Sequence, residues 1–148
     1  MRVAAASDHA GTGLRLALAE KLRAAGHEVL DLGPAGPGSV DYPDYAGPVA
    51  DAVLGGSADL GLLICNTGIG MSIAANRRRG IRAALCLYPL MARFARRHND
   101  ANVLVLGAGL TGCFLAWETL DAFLAEEFEG GRHLRRLGKI DAEPGTGA

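Results

Sequence analysis

Short apolar runs alternate along this chain with segments whose leucines and alanines recur every three or four positions. Val3–Ala6 reads as a buried strand, and the segment after Gly11 sets Leu14, Leu18 and Leu22 on one helical stripe before Gly26 ends it. Glu28–Leu32 predicts a second strand, Gly33–Pro43 a Gly/Pro-rich loop, Tyr45–Leu54 a helix and Leu60–Cys65 a third strand. A helix starts near Ile69. Arg82–Cys86 and Val103–Leu106 predict two more strands around a helix of about Pro89–Arg97, whose proline suits a first turn. Cys113, Ala116, Trp117, Leu120, Phe123 and Leu124 follow the i, i+3, i+4, i+7 rule of an amphipathic helix. Five strands interleaved with helices predict an α/β fold: a single doubly wound, Rossmann-like, five-stranded parallel sheet with helices on both faces. That domain is expected over residues 1–140, with Asp141–Ala148 as a flexible tail.

Composition narrows the partners. A chain of 148 residues has no room for a second domain, and a formal net charge of −1 argues against nucleic acid or a membrane surface as partner. Leu60–Asn76 and Ala101–Trp117 are uncharged but glycine-broken, too short to span about 30 Å of hydrocarbon. Cys65, Cys86 and Cys113 form no C-x-x-C pair or disulfide framework. With Asp8 and His9 arriving before any secretory apolar core can develop, a cytoplasmic protein is expected.

Chemistry concentrates in Leu60–Asn76, LGLLICNTGIGMSIAAN. An apolar strand ends at Cys65, and Gly68 and Gly70 let the backbone aim N–H groups at a ligand. A cysteine there reads as a thiolate or proton-transfer base, with simple packing as the alternative. In such sheets the ligand crevice lies beyond the carboxyl ends of the strands, so Ser7, Asp8, His9 and Cys65 are expected to converge beneath the Gly33–Tyr42 loop. His98 sits in RRHND just before a buried strand. Asp8 or His9 also suits a helix N-cap, Tyr42 a loop anchor, and Thr67 and Asn99 turn-forming residues. Arg132 and Arg136, four apart, share one helical face, as a phosphate clamp or a solvated surface.

Two motif readings fail. Gly107, Gly109 and Gly112 spell G-x-G-x-x-G, yet a dinucleotide site needs that motif in the first βαβ unit and an acidic strand end about 20 residues on. A cysteine phosphatase needs an arginine six residues after Cys65, where Met71 stands.

Five motifs in order carry a resemblance over nearly the whole chain: SDHAG at Ser7–Gly11, DYPDYA at Asp41–Ala46, ICNTGIGMSIAAN at Ile64–Asn76, RHNDANVLVLG at Arg97–Gly107 and EGGRH at Glu129–His133. Together they resemble the ribose-5-phosphate isomerase B and galactose-6-phosphate isomerase family. The resemblance implies an aldose–ketose isomerase of a sugar phosphate, working through an enediolate without metal or cofactor. It implies Cys65 as the base, Thr67 assisting the oxygen-bound proton, and Asp8 and His98 opening the sugar ring. It assigns the phosphate to His9, Arg132 and Arg136, sugar hydroxyls to Tyr42 and Asn99, and enediolate charge to the N–H groups of Asn66, Thr67, Gly68, Ile69 and Gly70. The family's site lies between two subunits, implying a homodimer or dimer of dimers. Some relatives work as paired unlike subunits, so a non-catalytic sugar-phosphate-binding subunit is the alternative. The family commonly has glycine where this chain has Asn66, which leaves tetrose and hexose phosphates open beside the pentose.

Overall fold

A computed structural model describes residues 1–36 and 38–142. In chain order the elements are β1 (Arg2–Ser7), α1 (Thr12–Ala24), β2 (Glu28–Asp31), α2 (Pro43–Leu54), β3 (Leu60–Cys65), α3 (Ile69–Ala75), β4 (Ala83–Leu85), α4 (Pro89–Asn99), β5 (Val103–Gly107), α5 (Cys113–Leu124) and α6 (Arg132–Asp141). The five strands form one parallel sheet in the order β2-β1-β3-β5-β4, as the alternation of strand and helix signals predicted.

The strand periodicity of two sorts side chains between two cores. Val3, Ala5, Leu62, Ile64, Leu104 and Leu106 face α1, α4 and α5. Ala4, Ala6, Leu63, Cys65, Val103 and Val105 face α2 and α3. Both faces of the sheet are therefore dry, as parallel sheets require. Gly61 makes the second core possible: a Cβ there would stand 2.8 Å from Val49 Cγ1, so glycine lets α2 lie close on the sheet.

Boundaries differ from expectation where a polar side chain competes with the ladder. Arg82 N–H donates to Asn102 Oδ1 at 2.8 Å, so β4 starts at Ala83 and is an edge strand of three residues. Helix α2 starts at Pro43, two residues early, because the proline supplies a first-turn φ after Tyr42. Helix α4 runs on to Asn99, where Asp100 takes a left-handed φ of 44°. Arg82 and Arg96 both hold the Asp100 carboxylate, at 2.8 and 3.1 Å. The expected tail began too early: Asp141 is helical and pairs with Arg82 at 3.4 Å. Residues 143–148 of that tail lie outside the described residues. Among the described residues no helix is long and apolar enough to cross a membrane.

Candidate active site

Three loops follow the carboxyl ends of the central strands and are laced together by main-chain hydrogen bonds. Asp8 N–H donates to Ile64 O at 3.1 Å; Ala108 and Gly109 N–H donate to Cys65 O and Asn66 O, each at 2.8 Å. The glycines that mimic a dinucleotide motif serve this lacing. A Cβ on Gly107 would meet the Thr67 carbonyl carbon at 2.8 Å, and one on Gly109 would collide with Asn66 Oδ1.

Cys65, 5% exposed, closes β3 at the floor of this crevice. Gly68 N–H donates to Cys65 Sγ at 3.1 Å, and Ile69 N–H donates to Thr67 Oγ1 at 3.3 Å. Gly68 itself takes φ 80°, a left-handed angle that glycine adopts without strain and that turns the chain into the helix starting at Ile69. Gly68 and Ile69 N–H therefore point within the loop. Two of the donors expected to face enediolate charge are engaged with Cys65 and Thr67 instead. Cys86 is a buried thiol that desolvation pushes up to about 12, which makes it a packing residue.

The neighbours of Cys65 are set from below. Asp8 is buried, and its Oδ1 accepts Gly11 N–H at 3.0 Å, which orients the carboxylate. Beneath it Arg15, 2% exposed, donates Nε to Ser7 Oγ at 3.1 Å and Nη2 to Pro34 O at 2.8 Å, and pairs with Asp31. Burial lowers the pKa of this guanidinium. The arginine ties the β1 loop to the Gly33–Tyr42 loop above. His9, exposed, accepts Val40 N–H on Nδ1 at 3.3 Å, and the Tyr42 ring covers Gly70 so closely that a Cβ there would lie 2.5 Å from Cζ. Asp8, His9, Tyr42, Cys65, Asn66, Thr67, Gly68, Ile69 and Gly70 thus share one crevice.

His98, Asn99, Arg132 and Arg136 do not join it within one chain. His98 and Asn99 end α4, just before β5 opens at Val103, whereas Cys65 lies beside Gly107 at the far end of β5. Four residues of strand separate the two ends by about 13 Å. At the amino end His98 stacks on His133 with centroids 4.4 Å apart, and Arg132 and Arg136 stand exposed on α6. Nearby, an open hollow of about 710 Å³ follows the β4 edge past Arg82, Asn99, Leu137 and Ile140, away from Cys65. Between the two ends runs an apolar strip on either side of β4: Ile69 and Ile73 on α3, and Leu87, Tyr88, Leu90 and Phe94 before and on α4, each at least 40% exposed.

Residue spacing along the chain does not single out Arg15, Asp31 or Glu129. A buried arginine leaves no periodic trace, and Glu129 was visible only as part of EGGRH.

The Ribose/Galactose Isomerase family model matches residues 3–140. A putative sugar phosphate isomerase of Bacillus subtilis is 50% identical over 141 residues, covering 95% of both chains. Ribose-5-phosphate isomerase B of Escherichia coli is 45% identical over 141 residues, again 95% of each. Among solved structures, a ribose 5-phosphate isomerase of Thermotoga maritima superposes with a TM-score of 0.93 at 55% identity, covering 95% of this chain and 97% of that one. Ribose-5-phosphate isomerase B of Mycoplasma genitalium, solved with bound ribulose-5-phosphate, gives 0.91 at 43% identity, covering 95% and 94%.

Proposed function

Because the chain belongs to the ribose/galactose isomerase family, we propose that it is an aldose–ketose isomerase that interconverts ribose 5-phosphate and ribulose 5-phosphate through an enediolate. The observation that carries this reading is the Cys65 sulfur, at the floor of the crevice, accepting a main-chain N–H. That contact fixes the sulfur at the floor of the crevice, where a base must stand to meet a C–H bond.

In the open-chain sugar the Cys65 thiolate takes the C2 proton, the electron pair moves to the C1 carbonyl, and the thiol returns that proton to C1. The oxygen-bound proton passes from O2 to O1, with Thr67 Oγ as its relay. Before this, the cyclic sugar opens as the Asp8 carboxylate takes the anomeric hydroxyl proton, the bond from C1 to the ring oxygen breaks and that oxygen gains a proton from His98. His9, Arg132 and Arg136 hold the phosphate, and Tyr42 and Asn99 contact hydroxyls.

These roles need both ends of the sheet, and one chain holds them about 13 Å apart. We therefore assign the working unit to a homodimer. A two-fold axis across the apolar strip beside β4 sets the amino end of one copy against the carboxyl end of the other. It also covers Ile69, Ile73, Tyr88, Leu90 and Phe94.

NMR in D₂O with ribose 5-phosphate, erythrose 4-phosphate, allose 6-phosphate and galactose 6-phosphate tests the reading. Ketose formation from ribose 5-phosphate with deuterium at C2 is expected, and Cys65→Ala should slow it by more than about a thousandfold while inorganic phosphate still binds. Absence of exchange with every sugar would refute the isomerase assignment.

A further inference from the structure

Glu129 lies in the turn between α5 and α6, and its carboxylate is surrounded. Arg97 donates Nε to Glu129 Oε1 at 2.6 Å, and Glu129 N–H donates to Arg97 O at 3.0 Å, so the turn is pinned to the last turn of α4. Its other oxygen, Oε2, lies 3.5 Å from His98 Nε2 and 3.9 Å from His133 Nε2. The two imidazoles are stacked 11° from parallel, and Phe94 covers His98 with centroids 4.7 Å apart. His98 thus meets a stacked imidazole, a tilted phenyl ring and, at Nε2, a carboxylate.

We propose that Glu129 is a positioning residue for His98, holding its ring in one orientation and one tautomer and linking it to the helix that carries Arg132 and Arg136. This rests on the isomerase reading above. The same three side chains offer ligand atoms within 4.8 Å of one another, the outline of a metal site. The stacked rings argue against that use, because each imidazole binds a metal in its own plane and two nearly parallel planes do not meet at one ion.

The surrounding charges fit a positioning role. Arg97 holds the Glu129 carboxyl below its ordinary range, so it is an anion at neutral pH. His133 is lowered, first by burial and then by His98, Arg132 and Arg136, against the opposing pull of Glu129. Burial therefore disfavours a charge on His133. Its neutral ring then stacks on His98 without charge repulsion. Arg93 and the remaining carboxylate here, Glu126, pair with each other at 2.9 Å, while Arg97 stands 3.9 Å from Glu126.

Glu129→Gln removes the charge at nearly constant shape and leaves the main-chain pin. The expected result is a kcat about tenfold lower with Kd for inorganic phosphate unchanged or tighter, and a split of the His98 ¹⁵N imidazole signals between tautomers. Glu129→Asp should recover part of kcat. A kcat within about twofold of wild type, or an unaltered His98 tautomer, overturns the proposal; so does a parallel loss of kcat, phosphate binding and Tm. The tautomer is read without sugar, so if the wild type isomerises nothing, the isomerase reading falls while the Glu129 assignment is still decided.

Discussion

At the carboxyl end of the sheet Cys65, Thr67 and Asp8 are each fixed by a backbone N–H two or three residues away, whereas at the amino end His98, His133 and Arg97 are fixed by side chains reaching between α4, α6 and the turn that joins α5 to α6. The first site is a product of turns: its geometry follows from short-range backbone angles and costs few side-chain rotamers. The second is assembled from long charged groups whose order depends on ion pairs, and such pairs are weak at a surface. In the proposed reaction the base that meets a C–H bond gains most from the stiffer end, and the proposed phosphate ligands tolerate a softer one, because charge attraction falls off slowly with distance.

That contrast is most severely tested by splitting it between chains. Cys65→Ala and His98→Asn homodimers should each be nearly inactive. After subunit exchange, half of the dimers are mixed and each mixed dimer rebuilds one of two sites, so about a quarter of wild-type activity should return. No recovery on mixing, with exchange verified by mass spectrometry, would show that Cys65 of one copy and His98 of the other do not build one site. A smaller effect is expected at the stiff end from Gly70→Ala, whose Cβ would lie 2.5 Å from Tyr42 Cζ. The half-exposed ring can swing outward, so kcat/KM should drop about tenfold through KM while Tm stays nearly constant. Unchanged steady-state constants would remove Tyr42 from the substrate's contacts. The smallest effect concerns Asn66, whose side chain lies over Gly109 at the crevice rim. Asn66→Gly should leave ribose 5-phosphate turnover within a few-fold and raise the relative kcat/KM of larger sugar phosphates. An identical ranking across the four sugars would end the case for Asn66 in specificity.

Local chemistry made much of this legible in advance. The Leu60–Cys65 strand, the turn through Gly68 and Gly70 and the start of α3 at Ile69 follow from apolar runs and glycine positions, and they stand where the pattern put them. Other readings were shifted by side chains that displace main-chain partners, as when Asn102 captured Arg82 N–H and shortened β4. The Arg15–Ser7–Asp31 support was not legible, because nothing in the spacing of a helix marks which of its charged residues turns inward.

By itself the sequence determined most of the elements, the parallel sheet and the course of the Cys65 turn, since side-chain period and turn preference act over a few residues. Tertiary structure decided that β5 enters between β3 and β4. It also decided that α6 folds back beside the end of α4, where His133 stacks on His98. Strand neighbours are chosen by burying both faces of the whole sheet at once, a condition met only between residues far apart along the chain.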